Sequence, residues 1–345
     1  MFKIMDNLTK QEKIDLIKQL ESEIDQLDVM QMTYKVLINS LYGALDNKHF
    51  IIANRKIAES VTASGRYFIK QTANMIEQFL QKYKPSDSPY VVYGDTDSVY
   101  ISLENIVDSL QEAKDFIPII EKVIEKSANR MAHHFNSFNP SIKMSREIIA
   151  SFAKFIAKKK YFAVVVDNEG VDYSNTTKIK TMGIEIAQSG TAKFTKDNLG
   201  EKCILPVLNG IPEHEIAEQL FKQYSERTDL ENLTSIKTVN NLKYNLNDKG
   251  VPIGSRAALV HNEYVAKHKP HIKQLTSGER YNLCYLKVPN KFKSNVISYE
   301  SDEMIDEIVK SGAFDYKTNF EKYVLSPFNN MFDCDVVIGV PKIDW

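Results

Sequence analysis

Between residues 7 and 45 apolar side chains return at spacings of three and four. Ile14, Ile17, Leu20, Ile24 and Leu27 fall on one line, and neither Gly nor Pro interrupts the run before Gly43. The spacing predicts one long α-helix, with Asn7 or Thr9 placed to cap its start. The stripe is as narrow as a coiled-coil seam. It predicts either a partner helix or packing on this chain's own core. A second helix is predicted over residues 53–82, and Pro85 to Pro89 then form a loop. Two β-rich runs follow, 90–93 and 98–103, joined by Gly94-Asp95-Thr96-Asp97. They predict a hairpin. Helices are expected between 105 and 135, broken near Pro118. A second hairpin is expected over 160–173, turning at 167–170. From about residue 176 the pattern is mostly helical, with one helix at 212–227 and another at 316–332. No repeat and no low-complexity tract occurs. Hairpins and helices without regular βαβ alternation predict an α+β fold with a helical tail.

Composition narrows the classes. The chain has 345 residues, 43% of them hydrophobic and 26% charged, a balance that argues against global disorder. The net charge is −1, so nucleic-acid binding has to come from local concentration of charge. No stretch approaches the ~20 apolar residues of a membrane span, and the first residues lack a signal peptide's apolar core. Cys203, Cys284 and Cys334 lie far apart and form no ligand pair. That excludes a disulfide framework and a zinc ribbon, and points to a reducing, cytoplasmic setting.

Four groups of residues carry candidate chemistry. In Tyr93-Gly94-Asp95-Thr96-Asp97-Ser98, two carboxylates two apart on an extended chain project to one side, as binding of a hard divalent cation requires. An ordinary polar turn uses the same residues. On a helix, Lys35, Asn39 and Tyr42 share a face, and a cation, an amide and a ring in line suit a nucleotide. A solvated helix face is the other reading. Lys158-Lys159-Lys160-Tyr161 opens a strand and either grips a phosphate backbone or forms a basic edge strand, and Lys178, Lys180 and Glu185 around Gly183 form a weaker basic segment. Glu147 stands beside Arg146, an ordinary surface pair unless the fold brings it to Asp95 and Asp97.

Together and in this order, these residues resemble the family B DNA polymerases, and within them the replicative enzymes of T-even type bacteriophages. Lys35 to Gly43 is similar to the Lys-x-x-x-Asn-Ser-x-Tyr-Gly fingers motif. Tyr93 to Ser98 resembles the Tyr-Gly-Asp-Thr-Asp-Ser palm motif without a departure. Lys158 to Tyr161 resembles the Lys-Lys-[Arg/Lys]-Tyr motif, and Lys180 to Glu185 the Lys-x-x-Gly-x-Glu stretch that opens the thumb. The likeness covers roughly the first 190 residues; beyond them it is faint, as at Phe320 to Tyr323 and Pro327.

The resemblance implies fingers over 1–48, palm over 49–175 and thumb over 176–345. It implies that Lys35 and Asn39 hold an incoming dNTP. Tyr42 then presses on the nascent base pair, and Gly43 lets the template approach. Asp97 and Asp95 are implied as ligands of two Mg²⁺ ions (Mn²⁺ as substitute), with Glu147 at the edge of that cluster. Lys158, Lys159, Lys160, Tyr161 and Lys180 are implied as contacts to the primer–template DNA. The reaction implied is attack of a primer 3′-hydroxyl on the α-phosphate of the dNTP.

The Asp-x-x-Ser-Leu-Tyr-Pro segment that carries a further palm carboxylate is absent from the sequence, and no predicted strand carries an exonuclease Asp-x-Glu. The expectation is a C-terminal subunit of a split viral polymerase, active with a second polypeptide that carries those parts. A non-catalytic primer–template binding protein is the alternative, and a gene fragment a third. Residues 340–345 are a faint candidate for a sliding-clamp tail.

Overall fold

The computed structural model describes residues 9–137, 143–176, 178–246 and 248–338. Asn7 and the tail 340–345 lie outside them. The chain divides into two compact units, Met1–Ser145 and Arg146–Trp345. Each combines helices with antiparallel strands, consistent with α+β.

In the first unit, α1 (Lys10–Asp46) is capped by Thr9. Its hydroxyl accepts from the Glu12 N–H at 3.3 Å, and the Glu12 carboxylate accepts from the Thr9 N–H at 2.7 Å. This reciprocal pair is a capping box. No residue of α1 is buried. The alternative that its stripe packs on this chain's own core is therefore overturned for the described residues. The Asn54 N–H donates to the Leu45 carbonyl at 2.8 Å, closing the joint to α2 (Arg55–Tyr83).

α2 packs through Ile76 and Leu80 against Phe116 and Ile120 of α3 (Leu110–His134), with Tyr90 completing the cluster. The break expected near Pro118 does not occur, since α3 runs through it. Phe116 and Ile120, on either side of Pro118, are 7% and 5% exposed. Burying two such side chains contributes about 3–6 kcal/mol, which offsets the ~3 kcal/mol cost of an interior proline.

β1 (Val91–Asp95) and β2 (Ser98–Ile101) form the expected hairpin, pairing Asp95 with Ser98. Its turn is shorter than the pattern implies: Gly94 and Asp95 belong to the strand, and only Thr96 and Asp97 turn.

The second unit opens with a sheet of β3 (Ile148–Ala157), β4 (Lys160–Asn168), β5 (Val171–Asp172) and β6 (Lys178–Met182). β4 pairs with β3 on one side and with β5 and β6 on the other. It is an interior strand, so the basic-edge-strand reading of its lysines is overturned. The β4–β5 turn places Glu169 and Gly170 at positive φ (51° and 92°), the I′ geometry that matches strand twist. Asp167, 1% exposed, holds this corner by pairing with Arg146 and accepting from the Gly170 N–H at 3.0 Å.

Helices α4 (Lys193–Leu199), α5 (Glu201–Leu208), α6 (Glu213–Ser225) and α7 (Leu230–Leu233) follow. The mostly helical tail also contains a three-stranded antiparallel sheet. It consists of β7 (Ser235–Thr238), β8 (Arg280–Tyr285) and β9 (Val296–Tyr299), with α8 (Ile253–His268) inserted between β7 and β8. α9 (Asp302–Lys310) precedes the last helix. That helix comprises α10 (Tyr316–Phe320), one π-helical turn (Glu321–Leu325) and α11 (Ser326–Phe332). Pro327 has no N–H for the Tyr323 carbonyl four residues back. The buried Thr195 hydroxyl donates to that carbonyl instead, at 2.7 Å, joining α4 to the last helix. Phe162, Leu199, Ile204, Tyr224, Tyr299 and Phe328 centre one large core.

Candidate nucleotide and duplex sites

The two candidate sites belong to different units. In the first, Lys35, Asn39 and Tyr42 lie on α1 at helical spacings of four and three, and all three are exposed. Gly43 follows inside the helix, where glycine costs about 1 kcal/mol relative to alanine. A Cβ built on it meets nothing within 4 Å. The protein's own packing therefore does not require a glycine there, and the helix backbone stays open to close approach.

The β1–β2 hairpin is anchored beneath. Val91, Val99 and Ile101 pack against the α2–α3 cluster, and the Val91 N–H donates to the Glu77 carboxylate at 2.7 Å. Burial works against the charge on Glu77. Bonds from the Val91 and Tyr90 backbone and from Gln81 outweigh it and hold the carboxyl below the usual range. Tyr93 and Tyr100 stand side by side, ring centres 5.6 Å apart.

At the tip, the Asp97 N–H donates to the Asp95 carbonyl at 2.6 Å, and Thr96 takes φ 50°. A β-branched residue in the left-handed region is strained by about 1–2 kcal/mol. The expected strand alternation does not relate the two carboxylates, because Asp95 ends β1 and Asp97 sits in the turn. The Thr96 hydroxyl donates to Asp95 Oδ1 at 3.0 Å. Asp97 is exposed and its carboxylate has no hydrogen-bond or ion-pair partner among the described residues. Hard oxygen donors so presented fit Mg²⁺, though two carboxylates make only part of a ligand set. Among the described residues no three His, Cys, Asp or Glu side chains group as a metal site.

In the second unit, Lys158 and Lys159 form the β3–β4 turn, Lys159 at φ 63°, while Lys160 and Tyr161 begin β4. Gly183, just after β6, presses on this turn. A Cβ there would lie 2.0 Å from the Lys159 carbonyl oxygen. The Lys160 ammonium sits 3.3 Å from the Glu185 carboxylate, and Lys180 is paired with Glu147. Glu147 thus belongs to the second unit, where it engages a lysine. Lys154 donates to the Phe332 carbonyl at 2.6 Å and so ties β3 to the last helix. Tyr161 is 2% exposed, its ring packed by Phe155. The ring expected on the duplex is a core residue, because β4 is paired on both sides. The missed feature is the contact of Gly183 with the Lys159 backbone. Its only sequence signal is the glycine in Lys180-Thr181-Met182-Gly183-Ile184-Glu185.

These motifs and this mixed fold agree with the family comparison. The model of DNA polymerase family B matches residues 8–273, and the chain belongs to that family. Among its relatives is the DNA-directed DNA polymerase of Enterobacteria phage T4, 26% identical over an alignment of 363 residues covering 95% of this chain and 39% of that protein. The DNA-directed DNA polymerase of Escherichia phage RB69 is 27% identical over 327 residues, covering 86% and 36%. DNA polymerase 1 of Sulfolobus acidocaldarius is 28% identical over 258 residues, covering 73% and 24%. The chain therefore spans less than two fifths of the length of each of these curated relatives. Among the described residues no helix is long and apolar enough to cross a membrane.

Proposed function

We infer that this chain supplies the nucleotide-binding helix, the carboxylate hairpin and the duplex-contacting surface of a DNA-directed DNA polymerase. In this reading residues 1–48 belong to fingers, 49–175 to palm and 176–345 to thumb. The observation that carries it is the family match together with the exposed row Lys35, Asn39, Tyr42 and the exposed Asp97 at a strained tip. Lys35 is a point charge for the triphosphate of a dNTP, and Asn39 donates and accepts beside it. Tyr42 presses on the nascent pair, and Gly43 leaves room for the template. The Lys158-Lys159 turn, Lys160 and Lys180 hold the phosphates of primer–template DNA. Tyr161 supports that turn from within.

Asp97 and Asp95 are the residues that would hold Mg²⁺, or Mn²⁺ in its place. When bound, such ions neutralise phosphate charge and favour the alkoxide of the primer 3′-hydroxyl. The chain's own share is positioning: side chains fixed on a rigid helix and hairpin align dNTP and primer before the attack.

The finer reading is that the remaining palm carboxylate and the exonuclease come from a second polypeptide. The test is primer extension with Mg²⁺ and dNTPs, using this chain alone and with proteins that co-purify with it. Extension that needs the partner, and falls more than about 10²-fold in Asp97→Ala, is the expected result. Extension indifferent to Asp97→Ala overturns the assignment. Duplex binding without extension in either mixture replaces it with a non-catalytic binding protein.

A further inference from the structure

Away from the cluster at Ile76 and Leu80, α2 and α3 meet through three rings. The Tyr67 ring of α2 lies 6.4 Å from the His134 ring of α3, their planes 19° from parallel. Phe135 stands edge-on beside both, 5.3 Å from Tyr67 and 5.2 Å from His134 between ring centres. Tyr67 is 39% and Phe135 53% exposed, and His134 is exposed as well. Ring surface that a core would cover here meets water.

The charge around the rings has one sign. Residues 60–76 and 126–137 contain no Asp or Glu, while Arg66, Lys70, Lys126 and Arg130 are all exposed. The whole chain carries −1, so this is a local concentration of positive charge. Lys126, Arg130 and His134 follow at spacings of four and form one row along α3, and Arg66 and Lys70 are related in the same way on α2. Like charges at that spacing repel and cost the helix stability. A polyanion laid along the row relieves the repulsion. None of these residues belongs to the motifs discussed above.

We propose that this patch binds single-stranded DNA, with bases stacked on Tyr67, His134 and Phe135 and phosphates held by Arg66, Lys70, Lys126 and Arg130. Cations that track the backbone and rings that stack with bases are the two components of sequence-tolerant single-strand binding. A duplex keeps its bases stacked on one another and has none to offer the rings, so the patch selects an unpaired strand. An acidic protein surface would satisfy the cations and leave the rings unanswered. The site goes beyond the polymerase reading, since no dNTP, metal or primer end takes part in it.

The probe is a fluorescent oligothymidine of about twelve nucleotides, titrated onto the full chain without dNTPs or metal. A blunt duplex of the same length is the comparison. Tyr67→Ala with Phe135→Ala should weaken oligothymidine binding at least about tenfold and leave duplex affinity within about twofold. Tyr67→Phe with Phe135→Tyr keeps the ring surface and should retain binding, which separates loss of stacking from loss of fold. Lys70→Ala with Arg130→Ala should lower the slope of log affinity against log salt by about 1.4. Polyglutamate of equal charge should compete at least about tenfold worse than unlabelled oligothymidine. Binding indifferent to the alanine pair, a loss shared equally by the duplex, or an unchanged salt slope overturns the proposal. Equal competition by polyglutamate overturns it in favour of an acidic protein partner. A dimer of the chain, read by sedimentation, that the alanine pair dissolves overturns it in favour of a second copy. The titration reads no nucleotide addition, so its failure leaves primer extension to judge the polymerase reading, and the reverse holds too.

Discussion

Replacing Gly183 with alanine tests whether the lysine turn is held by backbone contact. Two costs add. Gly183 has φ 62°, a conformation that costs an alanine about 1–2 kcal/mol. The new Cβ would also lie 2.0 Å from the Lys159 carbonyl oxygen, and real Cβ contacts essentially never fall below 3.0 Å. The turn or the end of β6 must therefore move by roughly 1 Å, an overpacking cost of about 1–3 kcal/mol. The sum is about 2–5 kcal/mol.

Gly312 is the matched control. It has φ 63°, and a Cβ there meets nothing within 4 Å, so Gly312→Ala carries only the first cost. Thermal unfolding followed by circular dichroism reads both variants. At about 2–4 °C per kcal/mol, Gly183→Ala lowers Tm by roughly 4–20 °C. Primer–template affinity of the folded variant should fall as well, because Lys158 and Lys159 ride on the displaced turn. If Gly183→Ala costs no more than Gly312→Ala, the contact does not hold the turn and this reasoning is wrong.

Three further outcomes are expected. Thr195→Val leaves the buried Tyr323 carbonyl without its donor and should destabilise by about 1–3 kcal/mol, with Thr195→Ser costing less; urea midpoints that do not move would refute the link. His261 is 1% exposed, and burial lowers its pKa against the opposing pull of the Lys273 and Ser298 backbone. Its folded value therefore lies below the unfolded ~6.5, so stability is intact above that pH and declines as pH falls from there through the folded value. His261→Leu should flatten that limb of the stability profile, and an unchanged limb assigns the acid sensitivity elsewhere. Thr96→Gly should raise stability by up to ~1 kcal/mol, as relief of the positive φ exceeds the entropy cost of glycine; a lower urea midpoint would show that the turn is not strained.

The elements legible in the sequence are those whose burial is one-sided or whose punctuation is local. α2 and the β1–β2 hairpin announce themselves through spacing and through Gly94 to Asp97. β9 shows no alternation because all four of its residues are buried, so a period of two cannot appear. β3 carries Lys154 amid apolar residues and runs into the lysine cluster, which hides it as a strand. Pro118 reads as a break, yet buried neighbours on both sides keep the helix continuous. At the candidate sites the residue types were readable and the geometry was not. Lys35, Asn39 and Tyr42 are related by helical spacing alone. The burial of Tyr161 depends on two strands pairing with β4, one of them β6, eighteen residues beyond the start of β4.

The 37 residues of α1 also make it a lever. At 1.5 Å per residue it is about 55 Å long, and its fulcrum is the joint where Asn54 meets Leu45. Lys35 lies only eleven residues from the end at Asp46, whereas Ile17 to Leu27 lie far out along the arm. A tilt of about 10° sweeps the tip by roughly 10 Å but moves Lys35 by only about 3 Å. A grip applied near the tip is thus geared down, so a coarse displacement there becomes a fine displacement of the Lys35 ammonium.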